Sequence, residues 1–139
     1  MHDESYISFK DMCAMFDVTP RTLRYYEYIE LLSPRREGRA RWYGPREIGR
    51  MKLIMRGRRF GFSLDEMGRL LDLYEPAGDN AAQLRATVDI ARRRLAEIRL
   101  QHEELLDIIE DLEARGRATD EMLARSGAHS SDQPVKDEP

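Results

Sequence analysis

The chain of 139 residues is defined first by what is scarce. It has one cysteine, Cys13, so neither an internal disulfide nor a thiolate metal cluster can form within one chain. Its three histidines, His2, His102 and His129, are scattered and not at ligand spacing. No metal and no cofactor is expected. No apolar stretch approaches the roughly 18 to 20 residues of a membrane span, and mean hydropathy is -0.66. The opening MHDESYISFK carries acids where a secretion signal carries bases, and it has no apolar core. These absences point to a reduced, cytoplasmic protein with no membrane partner. The patterns GxGxxG, GxxxxGK[ST] and HExxH are missing, as is any nucleophile beside a base, so no catalytic residue is assigned and an enzyme is not expected.

Lysine is scarce too, with three among 23 basic residues, so nearly all positive charge is guanidinium. Arginine suits bidentate contacts to phosphates and base edges. The net charge is -3, which as an average argues against a nucleic-acid partner. The distribution argues the other way. Pro20 to Arg59 holds 12 bases and 4 acids, a net +8 over forty residues. Codon bias in a GC-rich genome accounts for arginine over lysine, but not for this clustering.

Local signals divide the first 75 residues into short helices and a hairpin. Ser8 reads as a helix N-cap with Asp11 three residues on, and Met12, Cys13 and Phe16 share the inner face. Asp17 occupies a turn. Thr19 then caps a second helix with Pro20 at its first position. Two short helices joined by a tight turn form a helix-turn-helix unit. On the second helix Leu23 and Tyr26 face the core, while Arg21, Arg24, Tyr25 and Tyr28 form one stripe. A solvated face seldom carries tyrosines as well as arginines, so the stripe reads as a binding surface. The segment Ser33 to Tyr43 fits a two-stranded basic hairpin turning at Glu37-Gly38, with Arg39, Arg41, Trp42 and Tyr43 in the return.

A helix from about Pro45 to Phe60 comes next, with Ile48, Met51, Ile54 and Met55 inward and Arg46, Arg50, Arg56 and Arg59 elsewhere. Gly61 ends it, and Ser63 to Glu66 form a capping box opening a fourth helix. Residues 76–83 read as a linker.

From there Leu84, Val88, Ala91, Leu95, Ile98, His102, Leu105, Ile109 and Leu112 alternate steps of four and three, a heptad seam with His102 as its polar member. A helix over 84–115 spans about 48 Å. Its bases (Arg85, Arg92 to Arg94, Arg99) precede its acids (Glu103 to Glu113), so opposite charges face each other in an antiparallel pair of chains. Gly116 is expected to end this helix. Residues 116–139 then hold a short tail helix over Thr119 to Arg125 and a disordered C-terminus.

These motifs carry a resemblance. Thr19-Pro20-Arg21-Thr22-Leu23-Arg24-Tyr25-Tyr26-Glu27 resembles the recognition helix of the MerR family of bacterial transcription regulators. Leu31-Leu32-Ser33-Pro34, Arg41-Trp42-Tyr43 and Phe60-Gly61-Phe62-Ser63-Leu64 come after it in the family's order, over roughly residues 5 to 115. The resemblance implies a mainly α fold: a winged helix-turn-helix DNA-binding domain (1–75), then a long antiparallel dimerisation coiled coil. It implies a homodimer on a pseudo-palindromic promoter operator, bending and untwisting DNA to control RNA polymerase. Localisation would be bacterial cytoplasm, on the nucleoid when bound.

It also implies residue roles. Thr19 caps the recognition helix, and Arg21 and Thr22 face base edges. Arg24 and Tyr25 contact phosphate, with Tyr28 on the same stripe. Arg39, Arg41, Trp42 and Tyr43 place the wing on the backbone, and Arg58 and Arg59 serve a second wing. Leu23, Phe60, Phe62 and Leu64 pack. Two departures stand out. Ala40 replaces a frequent tyrosine, and the sensor cysteines found around the dimerisation helix of metal and redox sensors are missing. About 24 residues lie beyond Arg115, too few for a large effector domain. A small organic effector, an effector-independent regulator and a coiled-coil interaction module with incidental DNA affinity are the readings left open.

Overall fold

The computed structural model describes the backbone of residues 5–131 and the side chains of residues 5–127. The order is β1 (Ile7–Ser8), α1 (Phe9–Phe16), α2 (Pro20–Tyr28), β2 (Arg35–Glu37), β3 (Ala40–Tyr43), α3 (Pro45–Phe60), α4 (Leu64–Asp72) and α5 (Ala81–Ser131). The mainly helical, winged helix-turn-helix fold class is the one expected. By internal contacts the chain forms two compact units, with the boundary between Arg94 and Leu95.

In the first unit the chain's own polar side chains start the helices. Ser8 Oγ accepts the Asp11 N–H at 3.1 Å, and Thr19 Oγ1 accepts the Thr22 N–H at 3.1 Å. Each supplies a partner that the first helical turn lacks. Asp17 turns α1 toward α2 in the left-handed region, at φ 51. The turn carries α2 across α1, so Met12 and Leu23 meet in a core completed by Leu32, Tyr43, Met51 and Ile54, all fully buried. Burying each such side chain contributes about 1.5 to 3 kcal/mol.

The wing has one strand more than expected. Its sheet has the order β1-β3-β2, antiparallel throughout, with Ile7 opposite Tyr43 and Arg36 opposite Arg41. The hairpin turns at Gly38-Arg39, one residue later than the sequence suggested. Gly38 takes φ 59 there, and Glu37 pairs with Ala40.

Arg50, expected to point away, is half-buried. Its Nε donates to the Leu31 carbonyl at 2.8 Å, answering a backbone group that no strand or helix satisfies.

Two expected boundaries on the long helix are corrected. It begins at Ala81, not at 84: the Asp79 carboxylate accepts the Ala81 N–H at 3.0 Å and so caps it. Its first turns belong to the first unit, where Ile90 is buried with Met67 and Leu70. Nor does it end at Gly116. That residue is absent from the left-handed glycines, and α5 runs through it. A glycine inside a helix costs only about 1 kcal/mol, and good helix formers flank it on both sides. Arg115 pairs with Asp111 at 3.0 Å, and the Thr119 hydroxyl donates to the Arg115 carbonyl at 2.8 Å. The separate helix expected over Thr119 to Arg125 is part of α5. The backbone stays helical to Ser131, and the rest of the expected disordered tail lies outside the described residues.

Beyond Arg94, every described large apolar side chain is at least 40% exposed, from Leu95 and Ile98 to Leu105, Ile109 and Leu112. Among the described residues no helix is long and apolar enough to cross a membrane.

Candidate nucleic-acid interface

Helix α2 buries Leu23 and Tyr26 and turns its other face outward. Arg21 and Arg24 are exposed, as are Tyr25 and, more fully, Tyr28. The stripe anticipated on this helix is therefore a surface. Thr19 is the cap, and its hydroxyl also donates to the Thr22 hydroxyl at 3.0 Å. This leaves Thr22 half-buried beside the helix N-terminus, with Arg21 outside it.

The C-terminal end of α3 brings more guanidinium to the same place. Arg58 and Arg59 lie in its last turn, where cations offset the helix dipole. Arg58 Nη1 donates to the Tyr26 hydroxyl at 2.9 Å, which fixes it against α2. An open groove of about 560 Å³ runs between α2 and the α3–α4 junction, bordered by Arg21, Thr22, Tyr25, Arg58 and Ser63. A second, of about 460 Å³, is bordered by Thr19, Thr22, Arg58 and Arg59. Six of the anticipated residues thus share one face: Thr19, Arg21, Thr22, Tyr25, Arg58 and Arg59. Phe60, expected to pack, is half-exposed, its ring 5.8 Å from that of Phe62.

The wing is more occupied with the neighbouring helices α1 and α2. Arg39 is exposed at the turn. Trp42 is half-buried, beside Tyr6 and Pro45. Arg41 is mostly covered: its Nε stands 3.2 Å from Glu27 Oε2, and its guanidinium lies over the Phe9 ring at 5.4 Å. Arg24 approaches the same ring at 5.4 Å.

Tyr43 corrects an expectation. It is fully buried and cannot touch a DNA backbone from there. Pairing with β1 turns its ring into the core, where its hydroxyl donates to Glu27 Oε1. Burial, and then the hydrogen bond to the Glu27 carboxylate, push this hydroxyl far above the ordinary phenol range, so it stays protonated.

Glu27 and Phe9 are residues of this site whose roles no motif marks in the sequence. The usable signal was the scarcity of acids in a basic block. Of its four, Glu27 and Glu47 are the two whose side chains are almost fully buried, at 6% and 7% exposure. Glu47 Oε2 accepts the Ser33 N–H at 2.9 Å, which holds the segment leading into the wing.

Along the seam, Leu84, Val88, Ala91, Leu95, Ile98, His102, Leu105, Ile109 and Leu112 are all exposed in the single chain. Among the described residues no group of three or more His, Cys, Asp and Glu is placed to hold a metal ion. Burial raises the Cys13 thiol above its usual range, with nearby Arg24 working against it.

Two family models match the chain. One, described as MerR HTH family regulatory protein, covers residues 7–73; the other, described as MerR, DNA binding, covers residues 48–115. The chain is 37% identical over 100 residues to the uncharacterized HTH-type transcriptional regulator PA4778 of Pseudomonas aeruginosa, spanning 68% of this chain and 74% of that protein. It is also 37% identical over 94 residues to the HTH-type transcriptional regulator HmrR of Rhizobium leguminosarum bv. viciae, spanning 67% and 70%. A crystal structure of HiNmlR, a MerR family regulator lacking the sensor domain and bound to promoter DNA, shares the fold. Its TM-score is 0.56 at 15% identity, over 73% of this chain and 79% of that one.

Proposed function

Because the chain belongs to the MerR family of DNA-binding transcription regulators, we propose that it acts as an antiparallel homodimer on a pseudo-palindromic promoter operator. The observation that carries this reading is the convergence of Arg21, Thr22 and Tyr25 with Arg58 and Arg59 around the N-terminus of α2. A helix N-terminus ringed by guanidinium and phenol groups is built for a polyanion. Arg21 and Thr22 stand where a recognition helix reaches base edges, and Arg24, Tyr25, Tyr28, Arg39, Arg58 and Arg59 supply phosphate contacts.

Pairing along Leu95, Ile98, His102, Leu105, Ile109 and Leu112 would cover apolar surface that one chain leaves in water. It would also set two heads at a fixed spacing. A dimer that holds two recognition helices at fixed separation can offset the cost of bending the duplex between them with contacts to both half-sites, which is how RNA polymerase access would be controlled.

Footprinting of the full chain on the DNA upstream of its own gene tests this. The expected pattern is a protected stretch with dyad symmetry and enhanced cleavage at its centre. Uniform cleavage at low salt would overturn DNA binding, and a monomer in sedimentation at micromolar concentration would overturn the dimer.

A further inference from the structure

Glu27 is the one acid on a recognition helix whose outer face is arginine and tyrosine. Its side chain is only 6% exposed. Its two oxygens gather partners from the wing. Oε1 accepts from the Tyr43 hydroxyl, while Oε2 lies 3.2 Å from Arg41 Nε and 3.8 Å from Arg36 Nη2. Arg36 and Arg41 stand directly opposite each other across the β2–β3 pair. Like charges in that position push two strands apart. A carboxylate reaching both removes the conflict and satisfies its own need for partners in a buried place. The Phe9 ring adds a second tie, since Arg24 of α2 and Arg41 of β3 both approach it at 5.4 Å.

We infer that Glu27 is a positioning residue for DNA binding. Its carboxylate touches no DNA. It fixes β2 and β3 against α2, so that Arg39 at the wing tip and Arg21 at the helix N-terminus meet one duplex together. Arg41 is then a tether between wing and helix before it is a phosphate contact. The inference rests on the DNA-binding reading above, and it makes a prediction opposite in sign to simple electrostatics. A carboxylate beside a phosphate-binding surface repels the ligand, so neutralising it should strengthen binding if charge were its only effect. If it positions the wing, neutralising it weakens binding.

The test uses the full chain as wild type, Glu27→Gln and Tyr43→Phe. Duplex affinity is read by anisotropy on labelled DNA from upstream of its own gene, and helix content by circular dichroism. Wing geometry is read from the emission of Trp42, the sole tryptophan, flanked by two partners of Glu27. Glu27→Gln should bind roughly tenfold more weakly, with unchanged helix content and a shifted Trp42 emission in the free protein. Tyr43→Phe, which removes one hydroxyl and no charge, should move both readouts the same way by less. Glu27→Gln binding as tightly as wild type, or more tightly, overturns the inference whatever Trp42 does. If that variant loses helix content, Tyr43→Phe decides by the same two criteria. Should the wild type itself fail to bind, the DNA reading falls. The Trp42 emission, which needs no DNA, still judges the tie between Glu27 and the wing: a shift supports it and an unchanged spectrum overturns it.

Discussion

The residues up to Arg94 and those after it solve the same problem in opposite ways. The first unit buries its apolar side chains within one chain. Met12, Leu23, Leu32, Tyr43, Met51 and Ile54 are shut away, and the polar groups around them are answered by Glu27, Glu47 and Arg50. After Arg94 the described chain is helix alone, and no described large apolar side chain is less than 40% exposed. Helical hydrogen bonds satisfy its backbone, but its apolar face gains nothing from being folded. The head draws its stability from its own core, whereas the helix would draw it from the partner chain of the proposed dimer.

The largest effect is expected from Leu105→Glu with Ile109→Glu. If the seam is paired, the double variant loses roughly 1.5 to 3 kcal/mol for each buried side chain in both chains. Sedimentation should then show monomer, duplex binding should fall by on the order of 100-fold through lost bivalency, and the head's melting transition should remain. An intact dimer would contradict the assignment of the seam.

Leu23→Ala is the complementary change. It opens a cavity in the head and should cost about 2 to 5 kcal/mol, read as a lower melting temperature of the head, while the chain stays dimeric. Next in size are the proposed contacts to DNA. Arg21→Ala should weaken binding by about 1 to 3 kcal/mol and relax base preference, whereas Arg24→Ala should weaken all sequences alike and flatten the salt dependence. Competition between specific and mixed-sequence duplexes separates the two.

The smallest contrast uses glycine. A methyl on Gly57 would lie 2.1 Å from Met67 Sδ inside the head, so Gly57→Ala should destabilise by roughly 1 to 3 kcal/mol. At Gly116 nothing stands within 4 Å, so Gly116→Ala should raise helix stability by about 0.5 to 1 kcal/mol. Thermal melts of both variants check the pair. A loss at Gly116 would mean that a partner's backbone approaches there.

What the sequence disclosed came from local chemistry. Ser8, Thr19-Pro20, Gly61 and the Ser63–Glu66 box each set a helix end by bonds to near neighbours, so spacing alone exposed them. Gly116 misled because a glycine stops a helix only where the chain then turns, and the helix formers beyond it carry the chain straight on. Tyr43 misled for a longer-range reason. Its burial depends on β1, a two-residue strand too short to show alternation, pairing with it from far along the chain. Glu27 was hidden because an acid on a basic helix looks like charge balance. Only the fold shows that it faces the wing.

In the proposed complex two arginine-rich heads, joined by their helices, engage one duplex. Salt-dependent binding with stoichiometry, measured on DNA from upstream of the protein's own gene, decides it. The prediction is two chains per duplex and an affinity falling with a log–log slope of roughly -5 or steeper. One chain per duplex, or an affinity indifferent to salt, would contradict it.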